Sequence, residues 1–186
     1  MSHYCDLAPG HPFHGPYHDH EYGFPVADDD TLFERLALEI NQAGLSWLTV
    51  LKKRDAFHDA FEGFAVDRVA AYGDVERARL LADAGIIRNR LKVDAVIHNA
   101  GVIQHLRDEH GSFHAWLEAH HPRPHADWVG LFKRTFRFTG PEIVGEFLMS
   151  SGYLPGAHRD DCPVQARVLA AGPAWARASE TTRPAP

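Results

Sequence analysis

The chain has 186 residues, 45% of them apolar and 24% charged, with 15 Gly, 12 Pro and 2 Cys. That balance describes one compact folded domain and excludes a disordered chain, a disulfide-rich module and a low-complexity repeat. The formal net charge of -6 argues against a broadly basic surface that coats nucleic acid. All of that charge lies in residues 1–30, which carry Asp6, Asp19, Glu21, Asp28, Asp29 and Asp30 and neither Lys nor Arg; the rest of the chain is balanced.

The same acidic segment contains His3, His11, His14, His18 and His20 together with Cys5, a composition that suggests cation or metal binding. Asp29 and Asp30 then predict N-caps for a helix over Thr31 to Ala43, with Leu32, Phe33, Leu36 and Ile40 at helical spacing and Gly44 as its stop. Ser46 caps a helix over Trp47 to Arg54, followed by shorter helices over 55–61 and 66–72. Asp74 to Ala84 is helical again and ends at Gly85. Asn89 opens a long helix to about Leu106, in which Leu91, Ala95, Val96, Asn99 and Val102 share a face. Short helices follow over 113–119, 128–134 and 141–151, with an extended stretch at Phe136 to Phe138. No sustained strand alternation occurs, so the expected fold is all-α. Residues 1–172 read as a single domain and 173–186 as a tail with little to bury. The sequence has neither an apolar run of about 18 residues nor a secretory leader. The expectation is a protein of the reducing cytoplasm with no membrane association, in which the cysteines serve as thiols or metal ligands.

Three constellations could carry chemistry. Cys5 and His18 near the start and His158 with Cys162 near the end offer two thiolates and two imidazoles, the donor set of a closed structural zinc site. The i, i+4 spacing of the second pair would put both ligands on one face of a helical turn. A buried free thiol beside surface histidines, or a Cys5 to Cys162 disulfide, fits the spacing as well. The second constellation is the segment from Leu80 to Lys92, a helix, a turn with Gly85 and Ile86, and a new helix with Arg88, Arg90 and Lys92. Such a hairpin can offer backbone N–H groups and cations to a phosphate, or be an ordinary solvated hairpin. Lys52 to Arg54, and Lys133 with Arg134 and Arg137, are further basic clusters. The third is Glu39 in an apolar helix followed by Trp47, which could accept hydrogen bonds from, and stack on, an electron-poor cationic base; a core Trp beside a solvated Glu is the plain alternative.

Taken together these segments resemble the 3-methyladenine DNA glycosylase I family. The resemblance runs through Tyr4-Cys5, Tyr17-His18-Asp19-His-Glu21-Tyr-Gly23-Phe-Pro25, Gln42-Ala-Gly-Leu-Ser-Trp47, Leu51 to Arg54, Asp83 to Arg90, Lys92, Asn99-Ala100, Lys133-Arg134, Phe136 to Gly140, and His158 with Cys162. It implies an all-α helix-hairpin-helix DNA glycosylase that excises N3-alkylated adenine from double-stranded DNA. It also implies a structural Zn2+ on Cys5, His18, His158 and Cys162 that joins the N- and C-terminal segments. Glu39 would recognise the base, with Tyr17 and Trp47 in the same pocket. Gly85, Ile86, Arg88, Arg90, Lys92, Lys133 and Arg134 would meet the DNA, and the protein would act as a monomer. The chain departs from the family pattern where aromatic residues around the pocket are replaced by Leu7, His14 and Tyr22, and also at Trp128-Val129, Thr135 and Leu148-Met149. Fewer stacking rings would weaken base binding, since each stack contributes about 1–3 kcal/mol, or would open the pocket to another adduct. A divergent relative that binds lesions without cleavage, or excises a different alkylpurine, is therefore the alternative function.

Overall fold

The structure, a computed structural model, describes residues 3–181 and contains no strand among them. Helix α3 (Asp29–Gln42) is its axis. Asp28 caps it by accepting a 2.8 Å bond from the Thr31 amide, and Leu32, Phe33, Leu36, Leu38 and Ile40 are all buried. The cap lies one residue before the expected pair, because Asp29 instead turns inward to accept from the Phe113 and His114 amides and from Arg107. A buried carboxylate with those partners ties the start of α3 to the end of the long helix α8 (Arg90–His110).

Two short helices, α4 (Trp47–Lys52) and α5 (Arg54–Ala60), a 3-10 turn over Glu62–Phe64 and α6 (Val66–Ala70) follow α3. The segment expected as one helix over 47–54 breaks at Lys53. Helix α7 (Asp74–Ala82) leads into α8, which runs past Leu106 to its stop at Gly111. On the far side of α3, helices α9 (Phe113–His120), α10 (His125–Thr135) and α11 (Pro141–Ser150) pack so that Phe113, Trp116, Trp128, Phe132 and Phe147 form the aromatic half of one continuous core. Burying a large side chain of this kind contributes roughly 1.5–3 kcal/mol. Phe136 to Phe138 is a bend and not a strand, with Phe138 at φ 61°.

Four helices were not read from the sequence: α1 (Tyr4–Leu7), α2 (His14–His20), α12 (Pro163–Ala170) and α13 (Ala174–Thr181). The last occupies residues expected to be a tail; Ala174 is buried in the main core and the Trp175 amide bonds the Gly152 carbonyl. Residues 182–186 of that expected tail lie outside the described residues. Among the described residues, no helix is long and apolar enough to cross a membrane.

Candidate functional site

Helices α1, α2, α3, α4 and α11 enclose a pocket of about 220 Å³ lined by Tyr4, Tyr17, Tyr22, Glu39, Gln42, Trp47 and Glu146. Tyr17 and Trp47 stand 5.1 Å apart between ring centroids, and Tyr22 lies 5.6 Å beyond Tyr17. Trp47 reaches the pocket because the Gln42 side chain and the Ser46 cap form a tight turn after α3: the Gln42 amide donates to the Leu45 carbonyl at 2.9 Å, and Ser46 accepts from the Thr49 amide. The Trp47 indole N–H is buried without a hydrogen-bond acceptor among the described residues; burial raises the Tyr4 pKa, and the nearby Trp47 N–H offsets only part of that rise.

Glu39 sits at the centre of this arrangement. It is 5% exposed, and no protein group among the described residues donates a hydrogen bond to its carboxyl. Burial pushes its pKa well above the ordinary carboxylate value, and the charge of Glu146 pushes the same way; Arg35, one turn earlier, opposes both. Burial also raises Glu146, against a 3.1 Å hydrogen bond donated by the Tyr22 hydroxyl. Glu146 is the less buried of the two, so it ionises first and Glu39 feels its charge. Behind the pocket, Arg35 lies 5.4 Å over the Tyr17 ring and donates to Glu21, which also receives a two-pronged pair from Arg54. Arg54 in turn donates to Glu34. This ion network fixes the rear of the aromatic wall.

The metal-type cluster is immediately adjacent. Cys5, His18, His158 and Cys162 are all buried, with one donor atom from each within 4.8 Å of the others. His158 Nδ1 is 3.7 Å from both sulfurs and His18 Nε2 is 3.8 Å from the Cys162 sulfur. A tetrahedral ion with ordinary Zn–S and Zn–N bonds separates S and N by about 3.6 Å, so the donors stand close to the required edge length. The outer nitrogens are also engaged: His18 Nδ1 meets Asp19 at 2.7 Å, and His158 Nε2 meets the Tyr22 carbonyl at 2.7 Å. Such partners fix which ring nitrogen faces a metal. Both cysteines are free thiols and not a disulfide. His158 and Cys162 lie in a turn before α12, closed by the Cys162 amide on the Arg159 carbonyl, and not on the helical turn that their spacing suggested.

Pocket and cluster share a framework. Tyr4 precedes Cys5, Tyr17 precedes His18, and the Tyr22 carbonyl holds His158. Gly23 completes the junction at φ 89°, where an added Cβ would come within 2.9 Å of the Ala157 Cβ; a larger residue there would be strained and would push the two sites apart.

Comparison with known proteins addresses what such a pocket belongs to. A methyladenine glycosylase family model matches residues 8–129. The chain is 34% identical over 168 residues to DNA-3-methyladenine glycosylase 1 of Escherichia coli (strain K12), covering 80% of this chain and 89% of that protein. The chain belongs to the methyladenine glycosylase family. A Haemophilus influenzae DNA-3-methyladenine glycosylase is also 34% identical, over 79% of this chain and 89% of its own length. Among solved structures, 3-methyladenine DNA glycosylase I of Staphylococcus aureus superposes with a TM-score of 0.78 at 32% identity, over 86% of this chain and 95% of that one. A tyrosine-to-phenylalanine variant of 3-methyladenine DNA glycosylase I in complex with 3-methyladenine gives 0.77 at 31% identity, over 86% and 96%.

Within this family member the structure brings Glu39, Tyr17, Trp47 and Tyr22 into one pocket. Leu7 is 44% exposed and outside the lining, and His14 stands one layer back, bonded through Nδ1 to the Tyr4 hydroxyl at 3.1 Å. Three lining residues carried no expectation of a role in the pocket: Tyr4, Glu146 and Gln42, which opens the stretch that ends at Trp47. Tyr4 had a signal, since it directly precedes a candidate metal ligand. Glu146 had none, because a Glu on a helix carrying Glu142 and Met149 reads as solvated.

The basic residues are less gathered than expected. Between α7 and α8, Asp83 accepts from the Gly85 amide at 2.7 Å, Ile86 is buried, and Lys53 donates to the Ala84 and Gly85 carbonyls. The Gly85 N–H is therefore not free for a phosphate. Arg88 and Arg90 are exposed, with Asp94 3.7 Å from Arg90. Lys92 corrects the phosphate-contact expectation: it is 5% exposed and its ammonium donates to the Asn41 and Ala43 carbonyls at 2.8 and 2.6 Å, closing the end of α3. Lys133 and Arg134 are exposed on α10. Arg134 lines a groove with His98, His105 and Trp116. The first of these α8 positions is already about 12 Å along the helix from Arg90.

Proposed function

We propose that this protein is a DNA glycosylase that hydrolyses the N-glycosidic bond of N3-alkylated adenine in double-stranded DNA. The observation that carries the reading is Glu39, a buried residue whose carboxyl has no hydrogen-bond donor among the described residues and faces a pocket walled by Tyr17 and Trp47. Burying a carboxyl without partners is unfavourable, and a ligand that brings both hydrogen-bond donors and positive charge removes that cost. An adenine alkylated at N3 and still attached to deoxyribose is such a ligand.

The base leaves the helix and enters the pocket against the aromatic wall of Tyr17 and Trp47, where a base–ring stack contributes about 1–3 kcal/mol. Glu39 accepts from its edge, while the Trp47 indole N–H offers a donor that has no acceptor among the described residues. The C1′–N9 electron pair passes to the purine, which departs neutral; water adds to C1′ of the oxocarbenium-like sugar and its proton goes to solvent. The chain's part is to flip, stack and hold charge, and no side chain is needed to protonate the leaving group. Unmodified adenine is uncharged and holds its glycosidic bond strongly, so it is poorly cleaved even when it enters.

Cys5, His18, His158 and Cys162 fit a zinc ion, which when bound supplies structural cross-linking of the two chain ends. With four protein ligands the site has no open position for hydrolytic chemistry. We further propose that the α7–α8 hairpin is the helix-hairpin-helix element that meets the DNA backbone through Arg88 and Arg90, and that the protein is a cytoplasmic monomer with a single domain that takes in the start of α13, where Ala174 is buried in the main core. The reading is tested by incubating the wild-type protein with methylated duplex DNA and identifying the released bases by mass spectrometry. Release of 3-methyladenine is expected, and release of no alkylated base overturns the reading.

A further inference from the structure

The pocket holds a second carboxyl group to which base excision as described gives no task. Glu146 lines the same pocket as Glu39 and comes from a different helix, α11. We propose that Glu146 is a specificity-determining residue that, together with Glu39, makes the pocket select a purine of fixed positive charge over a neutral purine of the same shape. The proposal rests on the base-excision reading above.

The lining of the pocket contains two acids and neither Lys nor Arg. Arg35 is the cation behind it, but it lies over the Tyr17 ring and is engaged by Glu21 and the Ser150 carbonyl. Glu146 itself pairs with no Lys or Arg among the described residues; its hydrogen-bond partner is the neutral Tyr22 hydroxyl, which donates to one carboxyl oxygen. The fold therefore makes no use of its charge. A Gln in the same place would accept the Tyr22 bond equally well, so what Glu146 adds over Gln is negative potential inside the pocket. The faces of Tyr4, Tyr17, Tyr22 and Trp47 add to that potential, because aromatic faces attract cations. A neutral purine that enters gains stacking but leaves the two carboxyl groups of the pocket lining without a counter-charge. A cationic purine gains the same stacking and supplies that charge to both.

The test uses two small ligands of equal shape. One is 3,9-dimethyladeninium, a fixed cation; the other is its neutral isostere with carbon in place of the ring nitrogen at position 3. Affinities are measured by quenching of tryptophan fluorescence on the full-length wild type, Glu146→Gln and Glu146→Ser, with melting temperatures recorded alongside. The wild type is expected to prefer the cation. In both variants that preference falls by at least about tenfold, the ratio that 1.4 kcal/mol carries, while affinity for the neutral isostere stays near the wild-type value. A wild type with no preference for the cation overturns the proposal without reference to any variant. So does an unchanged preference in the variants, or an equal loss for both ligands, which is what a merely structural role would give. If the wild type releases 3-methyladenine from methylated DNA while its cation preference ignores Glu146, this proposal alone fails. If it binds neither ligand and releases no base, the base-excision reading fails and takes the proposal with it.

Discussion

Replacing Glu39 by Gln separates charge from shape at the centre of the pocket. The amide fills the same volume and still accepts a hydrogen bond, but it lacks the carboxylate's charge. At about 4 Å and an effective dielectric of about 20, a unit charge pair is worth about 4 kcal/mol. Part of that offsets the cost of ionising a carboxyl that burial has pushed towards its neutral form, leaving a net loss of roughly 2–3 kcal/mol, or about 30- to 150-fold in kcat/KM. The positive charge is present both in the flipped nucleotide and in the oxocarbenium-like sugar. The loss should therefore appear mainly in kcat/KM, with kcat changed less. The same substitution should not destabilise the fold. A carboxyl whose pKa is raised on folding holds its proton more tightly in the native state, so stability falls as pH rises from about 4.5 through the raised native value. Glu39→Gln has no such dependence, and its melting temperature should exceed that of the wild type by a margin that widens over this window. The assay is single-turnover base release from methylated duplex DNA beside thermal melts at several pH values. A Gln variant within threefold of wild-type kcat/KM, or one less stable than wild type at neutral pH, would refute the reasoning.

Four further outcomes follow from the same geometry. Cys162→Ser should lower the melting temperature and the metal content together, because the free energy of a closed site is folding free energy; a protein isolated with no bound metal and an unchanged melting temperature contradicts it. Glu21→Gln weakens the hold on Arg35 and Arg54 and should cost about 1–3 kcal/mol, discounted from the buried-pair range for Glu21's partial exposure, or several degrees in melting temperature; no shift would place the network outside the stability balance. Lys92→Met should reduce stability, since two carbonyls at the end of α3 lose a charged donor, while leaving the salt dependence of DNA binding unchanged. Arg88→Ala should do the reverse, lowering the slope of log K against log salt by about 1; a Lys92 effect on that slope, or none from Arg88, would reverse the assignment.

Much of this arrangement is legible in the residues. Period and capping locate α3 and α11 and the start of α8, because each joins an apolar face to a plain boundary; α8 runs beyond its expected end near Leu106 to Gly111, and α7 is marked by its boundary near Gly85 more than by its face, since Val75 is exposed and Leu80 is its buried residue. The acidic, His-rich start and the distant His158 and Cys162 foreshadow the cluster, although its turn geometry is set by α12 and by the Tyr22 carbonyl, which no local pattern encodes. The short helices α1 and α2 are too polar and too interrupted by Gly15 and Pro16 to show a period; they form because the cluster and the Tyr4, Tyr17 and Tyr22 packing hold them. Lys92 shows the limit of reading charge from sequence. Arg88, Arg90 and Lys92 look alike in sequence, yet Arg88 is exposed before α8 begins, Arg90 opens the helix facing outward, and Lys92 is carried beneath the end of α3. Glu146 shows the same limit from the other side, since a single acid on an amphipathic helix reveals neither its burial nor what it faces.

One measurement decides whether this pocket removes a cationic alkylpurine from DNA. Mass spectrometry of the bases released by the wild-type protein from alkylated duplex DNA tests it most directly. 3-Methyladenine is expected as the principal product, with adenine absent; release of no alkylated base, or of unmodified adenine at a comparable rate, would refute that role for the pocket.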